Sequence, residues 1–270
     1  MTKVTLIESD ANARFKHWKK LCEPRGVRRE GATLLEGIHL FLTLFERFDA
    51  GETPDVRAVV RSSGATQEAA QLAERLAERT GAPLFELAQK LYDEISPVEN
   101  GAGCLCELGI PAADDLSEAL DGDVLYLDGV QDAGNAGTLI RTAAAAGFSV
   151  VAASKGTAAL WAPKVLRAGM GAHLSVRILE NVSPEQLREH FSGVILAADA
   201  RGGENLFLSH DYEDGRACWV MGAEGPGVSE AALAVADKRF FIPIEPGVES
   251  LNVGAAAAVC LFDTKRRRES

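Results

Sequence analysis

The chain has 270 residues, is 47% hydrophobic and carries a formal net charge of −11. At roughly 100–200 residues per domain it can bury one large core or two modest ones, and two is the better prior. No apolar run approaches the roughly 20 residues needed to cross a bilayer, and the start MTKVTLIESDANARFKHWKK lacks the apolar core of a signal peptide, so a soluble, cytoplasmic protein with no membrane partner is expected.

Residues 9–21, SDANARFKHWKKL, predict a helix capped by Ser9 or Asp10, with Phe15, Trp18 and Leu21 at helical spacing. This helix opens a basic stretch, Arg14, Lys16, Lys19, Lys20, Arg25, Arg28 and Arg29, in which Glu23 is the single acid. The overall acidity argues against a phosphate-rich partner, because nucleic-acid affinity rests on cationic contacts. A local basic face is nevertheless compatible with RNA, and equally with an ordinary solvated helix. A helix over about 37–48, a strand at VRAVV, the amphipathic helix ATQEAAQLAERLAERT, the strand PLFEL and the helical AQKLYDEI complete a small alternating α/β unit. From Ser96 to Asp121 the chain is rich in Gly, Pro and acids apart from one strand at Gly103–Gly109; a linker is placed over 101–121, between domains of 1–100 and 122–270.

The five cysteines (Cys22, Cys104, Cys106, Cys218, Cys260) are scattered, with no CxxC pair and no His at zinc-finger spacing, so buried thiols are expected and no metal. The second half alternates more regularly. Strand VLYLD at 124–128, a helix from about Asn135 to Ala146, strand FSVVAA, helix APKVLRAG, a further strand and helix, and strand GVILAAD follow one another. Strand ACWVMG, a short helix after Ser229, strand RFFIPI and a last helix from about Leu251 to Lys265 complete it. Strands with continuous apolar runs, alternating with helices, predict a mostly parallel sheet covered on both faces, with ligands bound in loops past the strands' carboxyl ends. A second basic run, Lys265–Arg268, reads best as a solvated tail.

Three of those loops have compositions that core packing would not select. In LDGVQDAGNAGTLIRTAAAAGF, glycines surround Asn135 where a helix begins, and Arg141 follows six residues later. Glycines there let a ligand approach backbone N–H groups at the helix start, although the GxGxxG spacing of a dinucleotide site is missing. In VMGAEGPGVSE, Glu224 stands among Gly222, Gly225, Pro226 and Gly227, either to orient a ligand's polar groups or merely as a solvated acid in a tight turn. In IPIEPGVESLNVGAAAAVC, Ser250 and Asn252 flank Leu251 where helix caps are common, and the small residues after Gly254 allow close approach of another backbone, within the chain or across a dimer.

Taken jointly, N-x5-R, GxEGxG and IPxxxxxxSLNV, in that order over residues 123–265, resemble the SpoU/TrmH branch of the SPOUT RNA methyltransferases. The resemblance implies a C-terminal α/β domain with a deep trefoil knot, homodimerisation through that domain, and methyl transfer from S-adenosylmethionine to a ribose 2′-oxygen without a metal. Carried over residue by residue, it implies catalytic roles for Asn135, Arg141, Glu224, Ser250 and Asn252. Backbone groups at Gly222, Ile242 and Leu251, with Met221 and Ile244 as neighbours, would hold the cofactor, Gly222 leaving room for the adenine. Because a guanidinium normally stays protonated, Arg141 is expected to bind the phosphate beside the target ribose and stabilise the developing oxyanion, or to lose its proton only in the assembled complex.

The N-terminal half resembles, more weakly, the substrate-binding domain of larger members, through SDANARFKHWKKL, Arg28–Arg29 and LLEGIHL. That implies RNA contacts from Arg14, Lys16, Lys20, Arg28 and Arg29, and ribosomal RNA ahead of transfer RNA as substrate. Ala133, Gly169 and Gly254 depart from the family's usual Pro, Ser and Ser. A Rossmann oxidoreductase, an RNA-binding protein without turnover and a base methyltransferase are the competing readings.

Overall fold

The computed structural model describes residues 3–96, 98, 101–111, 116, 120–209 and 215–269. In chain order the first elements are β1 (Val4–Ile7), α1 (Ala13–Leu21), α2 (Pro24–Glu30), β2 (Ala32–Glu36), α3 (Ile38–Asp49), β3 (Val56–Ser62), α4 (Gln67–Thr80), β4 (Leu84–Leu87), α5 (Gln89–Ile95) and β5 (Cys104–Gly109). Then come β6 (Val124–Asp128), α6 (Ala133–Ala146), β7 (Val150–Ala153), α7 (Pro163–Gly169), β8 (Arg177–Glu180), α8 (Pro184–His190), β9 (Val194–Ala198), β10 (Glu204–Asn205), β11 (Ala217–Gly222), α9 (Glu230–Val235), β12 (Lys238–Phe241) and α10 (Val253–Glu269).

They form two compact units, one of residues 1–112 with 161–174, the other of 113–160 with 175–270. The first is built on a five-stranded sheet in the order β1-β4-β3-β5-β2, in which β5 runs antiparallel to both neighbours. Phe15, Trp18 and Leu21, spaced along one face of α1, reach the core beneath this sheet, where Trp18 packs edge-on against Phe85 at 5.3 Å. The Trp18 indole N–H donates to the buried carboxylate of Glu107 on β5 at 2.9 Å, satisfying both groups out of water. Helix α1 is capped by Asn12, whose side-chain oxygen accepts from the amides of Arg14 and Phe15. The expected caps Ser9 and Asp10 therefore lie in the turn before it; the Asn12 amide donates back to the Ser9 carbonyl.

Two expectations about organisation change. The linker placed over 101–121 holds β5, an interior strand of the first sheet whose residues are all buried; of the rest, 112–115 and 117–119 lie outside the described residues. Gly and Pro around the strand mimic a linker in composition, but the ladder to β2 and β3 overrides them. Helix α7, expected among the elements of the C-terminal domain, instead packs on β2 in the first unit, where the Thr33 hydroxyl donates to the Trp161 carbonyl at 2.7 Å.

The second unit carries a seven-stranded, wholly parallel sheet in the order β10-β12-β9-β11-β6-β7-β8. Strands β6, β7 and β11 are buried at every residue, as continuous apolar runs require when both faces are covered. Trp219 of β11 donates its indole N–H to the Thr264 hydroxyl of α10 at 2.8 Å, pinning that helix to the sheet. The basic run at the end of α10 is consumed internally: Arg266 and Arg267 pair with Asp263, and Arg268 with Asp123. All five cysteines are free; burial raises the thiols, Cys22 to about 11 and Cys104 to about 12. Among the described residues no helix is long and apolar enough to cross a membrane, and no group of His, Cys, Asp and Glu is placed to hold a metal.

Candidate functional site

The loops after β6, β11 and β12 belong to neighbouring parts of the second sheet, since β11 lies between β6 and β9, and β9 pairs β12. After β6, Gly129 turns the chain with φ +71°, and its amide is held by the Ser154 and Thr157 hydroxyls at 2.9 and 3.1 Å. Helix α6 then starts at Ala133, two residues earlier than expected, because Asp132 is its cap and accepts from the Asn135 amide at 2.7 Å. Asn135 is thus inside the first turn. At 3.6 residues per turn, Arg141 projects about 120° away from it around the axis. The two side chains therefore leave the helix on different faces.

After β11 the chain closes on itself. Ala223 and Gly227 exchange both backbone hydrogen bonds, at 3.1 and 2.9 Å, leaving Glu224, Gly225 and Pro226 as an exposed tip. Gly227 supplies the positive φ of +74° that the turn needs. Gly222 has a different task from the one expected. A Cβ there would lie 2.1 Å from both the Gly227 carbonyl carbon and the Val228 amide nitrogen, so its missing side chain admits the returning backbone, where an adenine was expected. Two carboxylates anchor the base of the turn: Asp128 accepts from the Ser229 amide at 2.7 Å, and Asp199 holds Arg201, whose guanidinium donates to the Val228 carbonyl at 2.8 Å.

After β12, residues 242–252 form neither helix nor strand. Asn252 ends this segment as the cap of α10, its Oδ1 accepting from the Gly254 and Ala255 amides at 2.9 and 3.4 Å. A Cβ on Gly254 would meet Thr138 at 3.0 Å, so the glycine lets α10 seat its first turn on α6, the internal alternative for its small residues.

These three loops meet at Asn135. Its Nδ2 donates to Glu224 Oε1 at 2.8 Å, and its Oδ1 accepts from Asn252 Nδ2 at 3.0 Å. One amide therefore joins the first motif to the second and the third, using its donor and acceptor ends for different partners. Of the five residues assigned to catalysis, the structure brings together Asn135, Glu224 and Asn252. Arg141 and Ser250 are exposed, and their side chains make no hydrogen bond or ion pair among the described residues.

Of the cofactor set, Met221 is 1% exposed and Gly222 is buried, so both can offer only backbone. Ile242 is half-buried, while Ile244 and Leu251 are 38% and 39% exposed. In the first unit, all five residues assigned to RNA are exposed. Arg14 stacks over Phe85 at 5.6 Å and Arg29 pairs with Glu30, whereas Lys16, Lys20 and Arg28 make no side-chain hydrogen bond or ion pair among the described residues.

Sequence reasoning missed Asp128, Asp132, Asp199, Arg201 and Arg239. Asp132 was legible as a cap three residues before Asn135. Asp199 and Arg201 bond each other locally, but the contacts that tie them and the other two into the site, Arg201 to Val228, Arg239 to Asp199 and Ser229 to Asp128, join distant segments and leave no local signal in the sequence. Burial alone would raise the Asp199 carboxyl; hydrogen bonds from the Arg201 side chain and amide, and from Arg239, outweigh it and hold the group below the usual range.

The chain is 31% identical over 298 aligned positions to "rRNA methyltransferase 3A, mitochondrial" of Danio rerio, covering 88% of this chain and 65% of that protein. It is 29% identical to the 23S rRNA (guanosine(2553)-2′-O)-methyltransferase RlmP of Bacillus subtilis (strain 168), covering 95% and 97% of the two chains. The chain thus spans less than two thirds of the fish protein and nearly all of the bacterial one. The crystal structure of the SpoU methyltransferase AviRb from Streptomyces viridochromogenes, in complex with the cofactor AdoMet, superposes with a TM-score of 0.83 over 96% of this chain and 99% of that one; at 22% identity the likeness is one of fold. A model of the SpoU rRNA Methylase family matches residues 123–262, more than half of the sequence, and the chain belongs to that family.

Proposed function

We propose that the protein transfers a methyl group from S-adenosylmethionine to a ribose 2′-hydroxyl of ribosomal RNA. The observation that carries this reading is the Asn135 amide, which joins Glu224 and Asn252 and so gathers three motif loops into one site. The names of its rRNA methyltransferase relatives support it, and that of the B. subtilis relative specifies a guanosine 2′-O position in 23S rRNA.

The residues present fit the cofactor. Ile244 and Leu251 hold apolar side chains in solvent on a segment without regular structure, a surface that an adenine ring would cover, and backbone groups at Met221, Gly222, Ile242 and Leu251 would take its polar edge. When bound, S-adenosylmethionine supplies an electrophilic methyl group on a sulfonium. The chain's own work is to hold the ribose hydroxyl in line with it and to stabilise the negative charge that develops on the oxygen.

Arg141, exposed and without a hydrogen-bond or ion-pair partner among the described residues, is available for that charge or for the phosphate beside the target ribose, as a cation that needs no proton transfer of its own. Glu224 and Asn252 orient the Asn135 amide, and Asn135 in turn fixes the distance between the second and third motif loops. Ser250 would join on binding, as a hydroxyl in contact with substrate. The basic residues Lys16, Lys20 and Arg28 supply phosphate contacts from the first unit, with Arg14 and Arg29 as secondary cations. A homodimer through the second unit belongs to the same reading.

The test compares ribose methylation across total RNA from cells with and without the gene. Loss at one ribosomal position is the expected result. Loss at a transfer RNA position would move the substrate, and loss nowhere would overturn the activity.

A further inference from the structure

Immediately past β9, Asp199 is buried, and both of its carboxylate oxygens are taken by arginines: Arg201 Nε donates to Oδ1 at 3.0 Å and Arg239 Nη2 to Oδ2. Its amide donates to the Phe240 carbonyl at 2.9 Å, which fixes it between β9 and β12. The two guanidiniums are not buried with it. Their side chains keep 51% and 42% of their surface in solvent.

One arginine would neutralise one carboxylate, so this cluster carries a single surplus positive charge in a chain whose net charge is −11. Each guanidinium has five N–H donors. Arg201 spends two of them, on Asp199 and on the Val228 carbonyl, and Arg239 spends one on Asp199. The remainder face no protein acceptor among the described residues.

The loop that follows runs close beside Arg239. Gly203 lies so close to Arg239 that a Cβ would stand 2.2 Å from its carbonyl oxygen, and a Cβ on Gly202 would stand 3.8 Å from Arg239 Nη2. Gly202 therefore passes the Arg239 guanidinium without laying a side chain over it, while Gly203 seats the loop against the Arg239 backbone. Guanidiniums already oriented by a buried partner lose little further freedom when they take a second anion. Arg201 also braces the base of the Glu224 turn, so the pair stands beside the proposed site.

We propose that Arg201 and Arg239 jointly hold one backbone phosphate of the RNA substrate, next to the loop that carries Glu224. The proposal rests on the RNA methyltransferase reading above. A phosphodiester's single charge matches the surplus charge of the cluster, and its two free oxygens match two arginine donors. The other anion available in that reaction is the cofactor's own carboxylate, and the experiment separates the two.

The full-length protein and its Arg239→Gln variant are titrated with deproteinised ribosomal RNA at salt concentrations from about 50 to about 200 mM, a range over which one phosphate contact is worth about three-fold in affinity. Glutamine removes the charge while keeping a side-chain N–H donor, and the position of the Arg201 bond to Val228 is not altered by the substitution. The expected result is weaker RNA binding, with the slope of log affinity against log salt reduced by about one. Affinity for S-adenosylhomocysteine, which retains the carboxylate, stays at the wild-type value by calorimetry. Arg239→Lys, which keeps the charge, restores the slope.

An unchanged slope overturns the proposal, as does a loss confined to S-adenosylhomocysteine binding, which assigns the pair to the cofactor. If Arg239→Gln does not fold, Arg201→Gln is read by the same criteria; if neither folds, the pair is structural and the proposal fails. Absence of RNA binding by the wild-type protein would instead defeat the reading of function on which it rests.

Discussion

Asn135 donates its side-chain N–H to Glu224 across 89 residues of sequence, at 2.8 Å, on the exposed side of the second unit. The direction of that bond is fixed by its other end, because the Asn135 oxygen is occupied by the Asn252 amide. Asn135→Asp would keep the shape and reverse the interaction, setting one carboxylate against another. Two carboxylates at hydrogen-bond distance cannot both ionise cheaply, so one is driven to bind a proton. Methyl transfer by Asn135→Asp should fall by about ten-fold or more at neutral pH, the range expected for a displaced site loop. Activity relative to wild type should then recover as pH is lowered and the shared proton restores the bond. A relative rate that is flat between pH 5 and 8 would remove the bond from the mechanism.

Arg141 differs from these three residues in having no hydrogen-bond or ion-pair partner among the described residues. An exposed side chain without hydrogen bonds contributes little to folding, so Arg141→Ala should shift stability by no more than about 0.5 kcal/mol. Its effect should appear in turnover. Loss of a charge-stabilising donor at a reacting oxygen typically costs about 100- to 1000-fold in kcat. Single-turnover methylation of a confirmed RNA substrate, with calorimetry of S-adenosylhomocysteine alongside, checks both halves. Wild-type turnover would exclude Arg141 from the chemistry, and weakened cofactor binding would give it another role.

Gly222 illustrates how a glycine singled out for one physical reason can be required for another. The family resemblance implies space there for an adenine, whereas the space is occupied by the chain's own backbone at Gly227 and Val228. Gly222→Ala should therefore destabilise the protein without any cofactor present, by about 1–3 kcal/mol as for overpacking in a core. Urea unfolding of the ligand-free protein measures it. Wild-type stability with reduced cofactor affinity would return the position to the role first expected of it.

How much was legible from the sequence follows from the range of the interactions involved. Strand β6 coincides with VLYLD and β11 with ACWVMG, because a strand buried on both faces writes itself as a continuous apolar run. Helix α2 was hidden: its seven residues carry too short a pattern, and Arg28 and Arg29 draw attention to charge instead. Within the site, the motif residues Asn135, Glu224 and Asn252 were recognisable by their order, yet nothing local says that one amide links all three. Asp199 and its arginines were invisible for the same reason, since Arg239 approaches from 40 residues away. The assignment of α7 failed on topology. Its sequence place between β7 and β8 is that of an ordinary crossover helix, and only tertiary packing puts it on β2.

That placement has a consequence for dividing the protein. A chain shortened to begin at residue 113, the form that a simple two-domain reading would recommend, keeps residues 161–174 while losing the β2 and α3 on which they pack. Trp161, Val165 and Leu166, all at most 6% exposed in the intact chain, would be uncovered together. At roughly 1.5–3 kcal/mol for each large apolar side chain left in water, the shortened chain loses several kcal/mol of burial and gains an apolar patch prone to association. The Trp161 carbonyl also loses the Thr33 hydroxyl that now satisfies it at 2.7 Å. The shortened chain should therefore unfold at lower temperature than the full-length protein and self-associate at micromolar concentration, beyond any dimer the full-length chain forms. Replacing 161–174 by a short Gly/Ser linker should relieve the association. Should the shortened chain match the full-length protein in melting temperature and sedimentation with 161–174 intact, the helix would have to be stable without the first unit, against the packing described.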